Sequence, residues 1–115
     1  MKNLIPYKIF ENFNQKNPQI GDYVLCEEED LGDGNSALID VKNFVKNNIG
    51  KLIKIVDEKR YNYSVQYENI PENIIDFFYF RENKSSRIYY RKEIKFFSPN
   101  KKDAEIILQA NKYNL

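Results

Sequence analysis

Histidine and tryptophan are missing from the 115-residue chain, and cysteine and methionine occur once each. Without histidine the commonest general base and the commonest zinc ligand are gone, which excludes Ser-His-Asp and Cys-His mechanisms. The lone thiol, Cys26, has no partner for an intramolecular disulfide, and its place in the apolar run "YVLC" marks it as an inert core residue. Neither G-x-x-x-x-G-K-[ST] nor G-x-G-x-x-G occurs, so nothing supports a phosphate cradle. The longest apolar run, "FFYF" at 77–80, falls far below the roughly 18 to 20 residues that cross a bilayer as a helix. The start "MKNLIPYKIFENFN" has no apolar h-region and no small-residue cleavage site. A cytoplasmic protein is expected, or one of the host cell interior if the source is viral.

What is present suffices for one core. The chain is 42% hydrophobic and 15% aromatic, and its length suits a single domain over 1–115. Asn, Ile, Lys, Tyr and Phe make up 60 of the 115 residues, all written with A- or T-rich codons, so an AT-rich genome is expected. Lysine abundance then reflects base composition in part, and charge arguments rest on placement.

The pattern of elements is β-rich. Gly21-Asp22 forms a turn into a strand at 23–27, and the Gly-containing polar stretch "EEEDLGDGNSA" at 27–37 reads as one exposed loop. Asp40 suits the N-cap of a short helix at 40–47, with Val41, Phe44 and Val45 on one face. "KLIKIV" at 51–56 and "YNYSVQYE" at 61–68 flank the turn "DEKR" as a hairpin. Pro71 suits the first turn of a second short helix at 71–78, with Ile74, Ile75 and Phe78 along one side. In "RIYYRKEIKFF", 87–97, Ile88, Tyr90, Ile94 and Phe96 share one parity, with a tight turn at Arg91-Lys92 dividing two strands. Asn100 and Asp103 stand in the relation of a capping box before a final helix at about 101–112 that presents Ala104, Ile107, Leu108 and Asn111.

Gly21-Asp22, Gly50 and Tyr63-Val65-Tyr67 sit where small Src-homology-three-like barrels of the KOW and Tudor type carry such residues, and residues 20–97 resemble that strand succession. The chain also resembles small proteins of low-GC phages and large DNA viruses. The resemblance implies a five-stranded antiparallel small barrel within the β-rich α+β class. It has two short inserted helices and a C-terminal helix, with 1–19 as an N-terminal arm, 20–97 as the barrel and 98–115 as the closing helix. Modules of this shape bind peptides, modified side chains, RNA or DNA and seldom catalyse, which is an analogy of fold.

The acidic loop invites a calcium reading, but its register fails. Gly34 at the sixth position of an EF-hand loop would put Leu31 at the third, and leucine cannot coordinate a hard cation. No metal and no cofactor are expected. A hydrolase built on carboxylates from Glu27 to Asp33 lacks the apolar surroundings that would raise a pKa.

Charge placement is more telling. Residues 22–40 hold seven acids and no base, and residues 81–102 hold eight bases against two acids. Arg87, Tyr89 and Arg91 alternate onto the strand face opposite Ile88 and Tyr90, a cationic and aromatic stripe suited to bases and phosphates. The competing reading makes these residues the wet side of a half-buried strand, neutralised by the acidic loop folding over them. The expected function is a non-enzymatic binding module for a protein partner, with an exposed patch near Tyr61, Tyr63, Tyr79 and Phe80. The alternative is RNA or DNA binding, and the candidate contact residues are Arg81, Lys84, Arg87, Tyr89, Arg91 and Lys95. No membrane contact is expected.

Overall fold

A computed structural model describes residues 17–29, 36–57, 62–80 and 83–113. Most of the expected N-terminal arm, the "DGN" turn, Tyr61 and Arg81 lie outside the described residues. Five strands form one antiparallel sheet in the order β6-β3-β2-β1-β7: β1 Tyr23–Cys26, β2 Gly50–Asp57, β3 Asn62–Gln66, β6 Ser86–Tyr90 and β7 Ile94–Ser98. A small hairpin of β4 Tyr79–Phe80 and β5 Asn83–Lys84 stands beside it. The helices are α1 Ser36–Lys46 and α2 Lys101–Tyr113. Among the described residues no ladder joins β6 to β7, so the five strands make an open antiparallel sheet, within the expected β-rich α+β class. Its two edge strands are nevertheless successive in the chain, joined by the single 3₁₀ turn Arg91–Glu93. Edges with three strands between them can be joined so briefly only if the sheet curls.

Local chemistry accounts for the joins. Gly21 adopts φ +96°, and Asp22 closes the turn by accepting the Gln19 amide at 2.8 Å on its carboxylate. The same turn bonds to the next strand through Gly21 N–H to Leu52 O at 2.7 Å and Leu52 N–H to Asp22 O at 2.8 Å. Gly50 opens β2 because any Cβ there would collide with Val65 Cγ1 and stand 2.9 Å from Tyr67 Cζ. The α1 face of Val41, Phe44 and Val45 packs as its spacing implies, but the helix begins at Ser36, so Asp40 is an exposed mid-helix residue and not a cap. Its C-terminal carbonyls are met by amide side chains, Asn47 Nδ2 to Asn43 O at 2.8 Å and Asn48 Nδ2 to Phe44 O at 2.7 Å.

The helix expected over 71–78 is instead a turn running into the 3₁₀ segment Ile75–Phe77. Ile74 and Phe78 are buried four residues apart while Ile75 faces solvent, and β4 then claims the chain before a second helical turn can form. The Asn100–Asp103 box takes another form: the Ser98 hydroxyl donates to Asp103 Oδ2 at 2.8 Å and accepts the Asn100 amide at 3.1 Å.

The main core lies inside the curl. Val24, Leu52, Tyr63, Val65, Tyr89 and Phe97 from the strands meet Val41 and Val45 of α1 and Phe78. Phe78, Tyr67 and Phe44 pack edge to face, with centroids 5.6 to 5.8 Å apart. On the outer face of β1 and β7, Leu25 and Phe96 form a second cluster with Ala104, Ile107 and Leu108 of α2. Asn111, expected on that helix face, is exposed.

Candidate functional site

The β3–β6 register decides what the basic strand can do. Tyr63 is opposite Tyr89 and Val65 opposite Arg87, and directly opposed residues share a sheet face. Tyr63 and Val65 are core residues, so Tyr89 and Arg87 are on the core side as well. This reverses the expected parity. Tyr89 is 1% exposed, whereas Tyr90, expected inside, is 54% exposed.

An arginine on the core side of an edge strand needs a counter-charge, and Glu28 supplies it. Arg87 Nε donates to Glu28 Oε2 at 2.7 Å and Nη2 to Oε1 at 3.2 Å, a two-pronged pair with side chains 23% and 11% exposed. The Tyr89 hydroxyl donates to the same Oε2 at 2.6 Å. The remaining arginine prong, Nη1, donates to the Phe77 carbonyl at 2.8 Å, and the guanidinium lies 5.6 Å from the Phe78 ring centroid. Burial works against the charged guanidinium, but Glu28 and Tyr89 outweigh it, so Arg87 holds its proton more tightly than a free arginine. Burial first, then the Glu28 carboxylate, pushes the Tyr89 phenol well up.

Glu93 fixes the backbone that carries Glu28. Its carbonyl accepts the Glu27 amide at 2.8 Å, and its carboxylate accepts the amides of Glu29 at 3.2 Å and Tyr90 at 2.9 Å. Glu29 in turn pairs with Lys92 at 2.9 Å on the surface. The opposite charges of the two segments thus meet within the molecule instead of standing apart. The sequence carried no signal for Glu93, which reads there as one acid diluting a basic run.

The six candidate contact residues are not brought together. Arg81 lies outside the described residues; Lys84 is exposed on β5, its carbonyl accepting Gln66 Nε2 at 3.5 Å. Arg87 and Tyr89 are tied to Glu28. Arg91 donates to Asn17 Oδ1 at 3.3 Å and Ile94 O at 3.0 Å, its guanidinium 5.0 Å from the Phe97 ring centroid. Lys95 is exposed and donates to Lys92 O at 2.9 Å. A buried Tyr89 ring offers no face to a base, so the expected stripe of Arg87, Tyr89 and Arg91 is not a surface feature.

The apolar patch takes a different form from the one expected. Tyr63 is buried, and the side chains of Tyr61 and Phe80 lie outside the described residues. Tyr79, 60% exposed, is joined instead by Ile75 and Phe77. Buried residues stand among them: Ile74 is buried just before Ile75, and Phe78, locked in the aromatic cluster, separates Phe77 from Tyr79. Arg87 holds the Phe77 carbonyl. Glu72 and Asp76 stand exposed on the same segment, and Asn73 Nδ2 reaches Asp40 Oδ2 of α1 at 3.4 Å. The result is an apolar knob whose rim holds two acids, Glu72 and Asp76, against one base, Lys84, which pairs opposite Tyr79.

Cys26 is buried in the core, and burial pushes its thiol up to about 12, leaving no thiolate near neutral pH. Among the described residues the buried hydroxyl of Ser64 has no hydrogen-bond partner. Among the described residues no three Cys, Asp or Glu side chains are grouped to hold a metal, and no helix is long and apolar enough to cross a membrane. Comparison with known protein families, curated proteins and solved structures returns no match.

Proposed function

We propose that the chain is a small non-enzymatic interaction module, of the Src-homology-three-like barrel type, that binds another protein through Ile75, Phe77 and Tyr79. The barrel type is supported by the way β7 returns to pair with β1 while one 3₁₀ turn joins it to the opposite edge. The observation that carries the binding surface is the exposure of Ile75, Phe77 and Tyr79 on a segment anchored by buried Ile74 and Phe78. These two anchors hold the backbone that carries the three side chains, so little backbone entropy remains to be lost on contact.

An affinity bait made from the whole chain tests this. A stoichiometric protein retained by wild type and lost on Phe77→Ser with Tyr79→Ser is the expected result. Wild type retaining no protein, its own copies included, or a partner indifferent to that double substitution, counts against it. The alternative of RNA or DNA binding through 87–97 draws on fewer residues, since Arg87 and Tyr89 are committed to Glu28 and only Lys84 and Lys95 of its set are exposed. Titration of a labelled oligonucleotide at low salt, where phosphate contacts are strongest, decides that alternative.

A further inference from the structure

Neighbouring residues of an extended segment point to opposite sides, and Glu27 and Glu28 do so here. Glu28 reaches Arg87 and, through it, the Phe77 carbonyl at the knob. Glu27 lines a cleft of about 350 Å³ on the other side, between the ends of β1, α1 and α2. Leu25 and Leu108 give that cleft apolar walls, and Lys46, Lys95 and Lys112 set three cations around it against the one carboxylate of Glu27. Among the described residues, Lys46 and Lys112 form no ion pair, and neither do Glu72 and Asp76 beside the knob. The molecule therefore carries an exposed apolar knob whose rim is net acidic, Glu72 and Asp76 against Lys84 opposite Tyr79, and an apolar cleft whose rim is net basic. Asp40 and Lys46 point roughly 120° apart around α1, so the two surfaces look in different directions.

We propose that these surfaces are partners of each other and that the chain associates head to tail with a second copy. Ile75, Phe77 and Tyr79 of one copy sit against Leu25 and Leu108 of the next, with Glu72 and Asp76 meeting Lys46, Lys95 and Lys112. The proposal rests on the reading of 75–79 as a protein-binding surface. A dry cavity of about 150 Å³ accepts a benzene ring, so the larger cleft has room for the ring of Phe77 or Tyr79. A net charge of +1 leaves little repulsion between copies. Three side chains fall short of a standard interface of roughly 800 Å² per partner, so the association is weak, with Kd on the order of 10⁻⁴ M. The contact is heterologous, and every pair retains a vacant knob and a vacant cleft for further copies.

Sedimentation velocity on the whole chain, from about 10 µM to about 1 mM to bracket that Kd, tests it. Average mass should rise with concentration and fall as salt screens the rims. Phe77→Ser with Tyr79→Ser disables the knob, and Lys46→Glu with Lys112→Glu disables the cleft. All four side chains are described as exposed, and thermal melting checks that both variants fold. Each variant alone should be monomeric, while an equimolar mixture should give one-to-one pairs and nothing larger, because one variant keeps only a cleft and the other only a knob. Wild type that stays monomeric at about 1 mM, or a mixture that stays monomeric when wild type associates, overturns the head-to-tail contact. Association that survives the cleft substitutions but not the knob substitutions would assign knob to knob and overturn the cleft's role. A monomeric wild type whose knob still retains a different protein on the bait would leave the binding surface standing and remove only the self-association.

Discussion

Tyr89 donates a 2.6 Å hydrogen bond to Glu28, 61 positions earlier in the chain, on the carboxylate oxygen that Arg87 also holds. One carboxylate thus satisfies a buried phenol and a half-buried cation together. Glu28→Gln keeps the shape but leaves Arg87 without a counter-charge, and should cost about 2 to 3 kcal/mol. Tyr89→Phe removes one donor and leaves the ion pair, and should cost only about 1 kcal/mol. Urea denaturation measures both, and the double substitution should cost less than their sum because both act on one oxygen.

At alkaline pH the interior becomes a liability. The Cys26 thiol is pushed up to about 12, and the phenols of Tyr67 and Tyr89 are also raised, in each case mainly by burial. The unfolded chain gives up such protons from about pH 8.5 for the thiol and about pH 10 for the phenols, while the folded chain keeps them. A folded pKa above the unfolded one means stability is intact below the unfolded value and declines as pH rises toward the folded value, by about 1.4 kcal/mol per pH unit for each group. Melting temperature should therefore be flat near neutrality and fall between about pH 9 and pH 11, and Cys26→Ala should make that fall shallower.

Neighbours at 77 and 78 should behave in opposite ways. Phe78 is 1% exposed within the aromatic cluster, and Phe78→Ala should cost about 3 to 5 kcal/mol. Phe77→Ser, at a side chain 37% exposed, should cost only about 1 to 2 kcal/mol while abolishing whatever the knob binds. A urea curve for each variant separates the two roles.

Gly50 is required by its neighbours rather than by its own backbone. A methyl group there meets Val65 Cγ1 and the Tyr67 ring, both held inside the core. Gly50→Ala should destabilise by about 1 to 3 kcal/mol through overpacking, read as a lower urea midpoint with an unchanged slope.

The elements that were legible in the sequence are those whose signal is local. The Gly21-Asp22 turn, the face of Val41, Phe44 and Val45, and the break at Arg91-Lys92 each rest on residues within one turn of one another. The face of β6 was not legible, because alternation fixes which residues go together but not which set goes inside. "RIYY" offers an apolar residue to both sides, and pairing with Tyr63 and Val65 chose Tyr89 over Tyr90. The Glu28–Arg87 pair spans 59 positions and follows from that choice, so the charge runs could suggest that the acidic loop folds over the basic strand but not which acid meets which arginine. The knob was missed at Ile75 and Phe77 because a helical reading of 71–78 placed Ile75 inside.

Arg87 joins these observations, since one guanidinium spans Glu28, the Phe77 carbonyl and the Phe78 ring. A lysine in its place keeps the charge, but its compact ammonium cannot serve a carboxylate with two prongs and a carbonyl with a third. Arg87→Lys should therefore lower stability by about 1 to 2 kcal/mol and, beyond that global loss, release the carbonyl that fixes the knob. Amide hydrogen exchange should then quicken at Phe77 and Phe78, whose N–H groups bond within the turn to Ile74 O and Ile75 O, each at 3.0 Å, more than at Leu52, two strands away from Arg87 in the centre of the sheet. Uniform acceleration at all three amides would mean that Arg87 stabilises the domain as a whole and does not position Ile75, Phe77 and Tyr79.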